Sequence, residues 1–256
     1  MKSFIKGIII LLFFVTANLK AQTDSKTGDN SGAKSFISFS GGAAIPMGNF
    51  AKTDASGPIS GSYTTTSGFA KTGTHFAIDG AYYFSHYVGI GGALSTSAFS
   101  VDTKTIAAGY LENYDCDSAS SKARKYNTFN IFIGPYFSFP ISKLTIDLRV
   151  LGGISRTLTP DIFGTVINQN NGPNEGSTST FVQTSGIASA FGFQSGIGLR
   201  YSICERLMLS LRGDYFYSKP NLSFDNVNRS NTGRILTSYN QPISGISTTF
   251  GIGYQF

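Results

Sequence analysis

The chain has 256 residues, of which 13% are charged, 14% aromatic and 41% hydrophobic, with 30 glycines and a formal net charge of +6. A mean hydropathy of +0.01 excludes a helical multi-span membrane protein, which needs repeated apolar runs of ~20 residues. The 22 Phe and 13 Tyr argue against disorder, and Lys and Arg are scattered rather than clustered, so nucleic acid is not an expected partner.

Residues 1–21 read as a secretory signal peptide. Lys2 and Lys6 precede an apolar run over residues 7–15, and Ala21 is the expected last residue before cleavage. The run is too short to span a bilayer. Removal of Lys2, Lys6 and Lys20 leaves 17 bases against 14 acids. Residues 22–34 are polar and read as a flexible periplasmic lead.

From there the chain alternates with period 2, the signature of half-buried strands rather than helices. In the first strand, residues 35–45, Ile37 and Phe39 oppose Ser38 and Ser40. Phe76, Ile78, Tyr82 and Phe84 then oppose Ala77, Asp79, Ala81 and Tyr83. Val88, Ile90, Leu94 and Ala98 oppose Gly89, Gly91, Ser95 and Ser97. Phe129, Ile131, Ile133, Phe137 and Phe139 oppose Thr128, Asn130, Gly134, Tyr136 and Ser138. Leu144, Ile146, Leu148, Val150 and Ile154 oppose Thr145, Asp147, Arg149, Gly153 and Ser155. The row of Ile187, Phe191, Phe193, Ile197, Leu199 and Tyr201 faces away from Gln194 and Arg200. Leu207, Leu209, Leu211, Tyr215 and Tyr217 face away from Arg206, Ser210, Arg212 and Asp214. Last, Ile246, Thr248, Phe250, Ile252, Tyr254 and Phe256 alternate with small and polar residues.

These eight segments match the ~9–11 residues of a tilted membrane strand. Their connections alternate in length: short at 85–87, 140–143 and 202–205, long and structureless at 47–72, 100–125, 156–185 and 218–242. A soluble compact domain seldom carries four such loops. A β-sandwich shares the period but explains neither the loop asymmetry nor the terminal Phe. A sheet in lipid must close, because an open edge leaves backbone groups unpaired. The expected fold is all-β: an eight-stranded antiparallel up-and-down transmembrane β-barrel over residues 35–256, with four long outer loops, short periplasmic turns and both termini in the periplasm. The expected location is the cell outer membrane.

The ending Gly251-Ile252-Gly253-Tyr254-Gln255-Phe256 and the opening Phe39-Ser40-Gly41-Gly42-Ala43-Ala44-Ile45-Pro46-Met47-Gly48-Asn49-Phe50 resemble outer-membrane β-barrels of the OmpA/OmpX-like porin-superfamily type common in Bacteroidetes. The resemblance implies that Phe250, Ile252, Tyr254 and Phe256 form the signal read by the barrel-assembly machinery. It implies outer-membrane lipid as surroundings and, as one reading, an accessory barrel of a secretion system.

Six charges fall on the lumen side: Asp79, Asp147, Arg149, Arg200, Arg212 and Asp214. Counted from the tight turns, Asp79, Asp147, Arg149 and Arg212 lie at similar depth. An eight-stranded bore is just wide enough to be filled by side chains, and an unpaired buried charge is costly. The charges therefore pair into an ionic plug or, in the alternative, line an ion path. With no Trp in the chain, Tyr82, Tyr201, Tyr215, Tyr217 and Tyr254 are the expected interfacial girdle. His75 and His86 stand ~11 residues apart along a strand, over 30 Å at ~3.3 Å per residue, so no metal site or cofactor is expected. His75 is expected at the rim, bonded to solvent; its other reading is the base of a lipid-modifying enzyme with an outer-mouth Ser. Cys116, in a long loop, and Cys204, in a periplasmic turn, are too far apart for a disulfide. The favoured function is structural or interactive, with the long loops presenting a surface to an extracellular ligand or protein. The alternatives are a narrow pore and a lipid-modifying enzyme, and no catalytic residue is assigned.

Overall fold

The computed structural model describes residues 32–53, 67–114, 117–168, 177–228 and 234–256. The signal peptide, residues 22–31 of the lead and Cys116 lie outside the described residues. In chain order the elements are β1 (Phe36–Pro46), α1 (Gly48–Ala51), β2 (Ala70–Tyr83), β3 (Val88–Val101), α2 (Thr103–Tyr114), β4 (Ser118–Ala123), β5 (Tyr126–Ile141) and β6 (Leu144–Leu158). They continue with β7 (Ile162–Asn168), β8 (Ser177–Gln183), β9 (Ile187–Ser202), β10 (Leu207–Ser218), β11 (Asn221–Asn228), β12 (Arg234–Asn240) and β13 (Ile243–Gln255). Among the described residues no helix is long and apolar enough to cross a membrane.

Eight strands close into an antiparallel barrel in the order β1-β13-β10-β9-β6-β5-β3-β2. Closure is made by β13 against β1, from Phe36↔Gln255 to Pro46↔Gly245, which leaves the ring without an edge. The short turns lie at one end, which also holds the start of β1 and the end of β13; the long connections lie at the other. In the β5–β6 turn Ser142 has φ +58°, the left-handed conformation that two-residue hairpins demand.

The alternation resolves as apolar side chains outside and polar groups inside. Phe39, Ile78, Ile90, Ile133, Val150, Phe191, Ile197, Leu211 and Phe250 are all exposed on the outer wall, while Ser38, Ser95, Asn130, Ser155, Gln194 and Ser247 are buried within. Of the girdle tyrosines, Tyr82, Tyr201, Tyr215 and Tyr254 face outward. Tyr217, partly buried, packs its ring 5.6 Å from that of Phe193.

The bore also holds two apolar layers. Near the turn end Phe36, Tyr83, Phe132, Tyr136, Leu151 and Met208 pack together. At the loop end Ala44, Phe50, Ala70, Phe99, Tyr126, Phe216 and Ile243 form a second cluster. Strict alternation hides these inward rings, but Ile131-Phe132-Ile133 and Tyr215-Phe216-Tyr217 mark them: the middle residue of an apolar triplet on a strand must point inward.

The long loops are not structureless. Strands β12-β11-β8-β7-β4 form a second, five-stranded sheet. Its order copies that of β13-β10-β9-β6-β5 beneath it, so each strand continues a barrel strand beyond a short break. Pro160, Pro220 and Pro242 stand at three of these breaks, where a missing N–H interrupts the ladder. Backbone bonds stitch neighbouring breaks, Arg124 N to Asp161 O at 3.0 Å and Gln241 N to Pro220 O at 3.0 Å. Helix α2 packs Ile106 and Tyr110 onto Phe69 and Val166. The segment Ser118–Ala123 alternates only between exposed and partly buried positions. Away from lipid the two faces differ little, so no oily-and-wet rhythm announces the strand.

Candidate functional site

All six expected lumen charges are buried, each at most 5% exposed. Asp79 comes from β2, Asp147 and Arg149 from β6, Arg200 from β9, and Arg212 and Asp214 from β10. Arg149 is the hub of one cluster. Its Nε donates to Asp214 Oδ1 at 2.8 Å and its Nη2 to Asp214 Oδ2 at 2.7 Å. Its Nη1 donates to Tyr136 Oη at 2.8 Å and to Asp79 Oδ2 at 3.3 Å. Asp79 also accepts from Ser38 Oγ at 2.7 Å and pairs with Arg212 Nη1.

A second cluster lies nearer the turn end. Arg200 donates through Nε and Nη2 to the two carboxylate oxygens of Asp147, at 2.6 and 2.9 Å. Ser138 Oγ donates to Asp147 Oδ1 at 2.5 Å. With its proton so used, Ser138 accepts from the Tyr83 hydroxyl. Arg200 Nη1 reaches the carbonyl of Lys34 at 3.2 Å, and Ala33 N donates to His86 O at 2.9 Å. These bonds tie the last residues of the lead to the barrel. The guanidinium carbons of Arg200 and Arg212 lie 4.1 and 5.2 Å from the Phe36 ring centroid, within cation–π range. Asp147 thus belongs with Arg200, not with the charges expected at its depth, and Asp214 takes its place beside Arg149.

Glycine makes the long reach possible. Gly196 on β9 sits between Arg149 on β6 and Asp214 on β10, opposite both. The pair therefore spans two strand spacings, ~10 Å. A Cβ at Gly196 would stand 1.9 Å from Asp214 Oδ1 and 2.8 Å from Gly213 O. Gly196→Ala is expected to split the bidentate pair and cost roughly 1–3 kcal/mol, read as a lower urea midpoint of the folded, fast-migrating gel band.

His75 is not at a solvated rim. It points into the bore, 3% exposed, with Nδ1 2.8 Å from Ser97 Oγ, itself 2% exposed. The parity that puts Asp79 inside puts His75 inside too. One rung above, Phe99 pairs Gly73 and Tyr126, and over them Phe50 of α1 enters the mouth, fully buried. Its ring meets Phe99 and Tyr126 edge-on at 5.0 and 5.2 Å. Gly68 presses on this turn, where a Cβ would come 2.4 Å from Phe50 O. No strand periodicity announces this aromatic cap, because residue 50 lies outside the strands, on the single turn of α1. Cys204 is an exposed free thiol. Among the described residues no three His, Cys, Asp or Glu side chains gather as a metal site would require. Phe250, Ile252, Tyr254 and Phe256 form one outward row on the closing strand and the residue after it, with the Tyr254 and Phe256 rings stacked at 6.2 Å.

No protein-family model and no curated protein sequence matches the chain. Among solved structures it is similar to Ail, the attachment invasion locus protein of Yersinia pestis, at 14% identity and TM-score 0.41, over 88% of this chain and 99% of that one. A major outer membrane protein of Thermus thermophilus gives 11% identity and TM-score 0.42, over 87% and 99%. The outer membrane protease OmpT of Escherichia coli gives 10% identity and TM-score 0.40, over 73% and 65%. The names differ in activity, and the likeness is one of fold alone. The chain's own geometry carries the assignment: a closed ring of strands with an apolar outer face and buried charges within leaves no backbone edge unpaired in lipid, and the protein has the fold of an eight-stranded transmembrane β-barrel.

Proposed function

We propose that this barrel is a rigid membrane anchor displaying its loop-end sheet and helix α2 at the cell surface, with the bore closed by its paired charges and aromatic layers. The observation that carries this reading is the five-stranded sheet itself, which continues five adjacent barrel strands and packs α2 through Ile106 and Tyr110. Surfaces held on a rigid scaffold are where binding function concentrates. Residues 1–21 direct export, and the row ending at Phe256 is read by the assembly machinery as β13 closes on β1.

Two alternatives make different demands. A pore needs a continuous wet path, whereas here two apolar layers and two ionic clusters cross the bore. A hydrolase needs an accessible nucleophile. Ser97 and His75 are hydrogen-bonded but enclosed, which supports a structural role for the pair. The test combines three readouts. Purified protein in planar bilayers is expected to be silent. A fluorophosphonate probe is expected to leave Ser97 unlabelled. Replacing residues 103–114 with a Gly-Ser linker of equal length is expected to abolish adhesion of expressing cells to an extracellular-matrix panel, with heat-modifiable gel mobility unchanged. Reproducible channels, labelling of Ser97, or adhesion indifferent to the linker would each overturn the reading; stable co-purification with a secretion complex would replace it with the accessory role.

A further inference from the structure

The barrel wall is not paired to the same height all round. β1 and β2 pair from Phe36↔Ala81 up to Ala44↔Gly73. Above that rung β1 stays with β13, through Ile45↔Ile246 and Pro46↔Gly245. β2 stays with β3, its register slipping between Lys71 and Gly73. The two strands therefore part. A groove of about 510 Å³ opens in the split, lined by Ile45, Pro46, Ala70, Lys71, Thr72 and Ser100. That volume lies within the ~300–1,000 Å³ of small-molecule sites.

The walls of the groove differ in chemistry. Ile45 faces outward, 48% exposed, beside outward Ile246 at the same rung, so one lip is continuous with the lipid-facing band. The other lip carries the Lys71 ammonium and the hydroxyls of Thr72 and Ser100. Ala70 and Ala44 pack with Phe50 in the cap of the bore, which gives the groove a floor and turns it outward rather than into the lumen. Lys71 Nζ lies 3.2 Å from Asp102 Oδ1, and Asp102 Oδ1 also accepts from Thr105 N at 3.3 Å. Partial burial works against the Asp102 charge, but the hydrogen bonds from Lys71 and Thr105 bring its carboxyl below the ordinary carboxylate range. Asp102 therefore stays ionised and holds Lys71 at the groove, with half of the lysine side chain still exposed.

We propose that this split between β1 and β2 binds one anionic lipid of the outer leaflet, its phosphate on Lys71 and the neighbouring hydroxyls, its first acyl carbons on Ile45 and Pro46. Each part of the groove meets the part of a lipid it suits. The apolar lip continues the band that Phe76 and Ile78 present to hydrocarbon, and the cation stands where headgroups begin, its stem along apolar surface and its charge in the polar layer. The inference uses the membrane placement and is independent of the surface-display reading.

The test uses the full chain in nanodiscs of equal phosphatidylglycerol and phosphatidylcholine, released into mild detergent and weighed intact by native mass spectrometry. The protein is expected to retain one phosphatidylglycerol with about tenfold preference over phosphatidylcholine. Lys71→Glu is expected to erase that preference, Lys71→Arg to keep it, and Ser100→Trp, which fills the groove without changing charge, to abolish retention of the single lipid. Gel mobility before and after boiling establishes that each variant is folded. Retention by Lys71→Glu and Ser100→Trp equal to that of the parent would overturn the proposal, and so would equal retention of the two lipids by the parent. Displacement of phosphatidylglycerol by millimolar inorganic phosphate would assign Lys71 to free phosphate instead and overturn the lipid site.

Discussion

Arg149→Met is expected to lower stability by about 3–5 kcal/mol, because it strips two buried carboxylates of their partner. Asp214 loses both bonds of a bidentate pair, and Asp79 keeps only Arg212 and Ser38. Urea unfolding in lipid vesicles, followed by the folded gel band, measures the loss. The second cluster supplies the control. Arg200→Met alone leaves Asp147 charged and buried with only Ser138 to bond it. Adding Asp147→Asn removes that charge, so the double variant is expected to recover more than half of the single loss. If the two losses simply add, the carboxylate and guanidinium are not coupled and the ionic filling of the bore is wrong.

Phe50→Ala is expected to cost about 3–5 kcal/mol, the usual range for emptying a fully buried aromatic site. The ring lies among Phe99, Tyr126, Phe216 and Ile243, and no neighbouring side chain can fill its place without leaving its own. The turn carrying it is only four residues long, held by Met47 N to Ser244 O at 2.9 Å and Lys52 N to Gly48 O at 3.1 Å. Removing the ring also opens the rung below. In a background with Cys116 and Cys204 replaced by serine, a Ser97→Cys thiol is expected to react slowly with a water-soluble maleimide, and much faster once Phe50 is alanine. Bilayers are expected to stay silent, since both ionic clusters persist below. An unchanged midpoint together with unchanged labelling would mean that Phe50 does not seal the mouth.

Much of the wall was legible residue by residue. Phe250, Ile252 and Tyr254 alternate with Gly251, Gly253 and Gln255, and the structure places the first set outward and the second inward. The six interior charges could be found the same way, because parity alone carries them to the lumen. Their partners could not. Asp147 and Arg149 are two residues apart on one strand, yet one bonds Arg200 and the other Asp214, a choice made by the register of β6 on β9 and by the room left at Gly196. A strand of hydrocarbon length puts His75 at the rim although its own parity points inward, and the structure encloses it because β2 runs on: it has 14 residues, against the ~9–11 that crossing needs.

Local chemistry settled which side of each strand meets lipid, how many strands cross, and at which end the chain turns tightly, since the contrast between oil and water repeats every second residue and is written in the chain itself. Closure decided the rest. Register, the cross-bore ion pairs, the Phe50 cap, the order of the loop-end sheet and the parting of β1 from β2 all depend on residues far apart in sequence, and such contacts exist only once the ring has set the tilt and stagger of its strands.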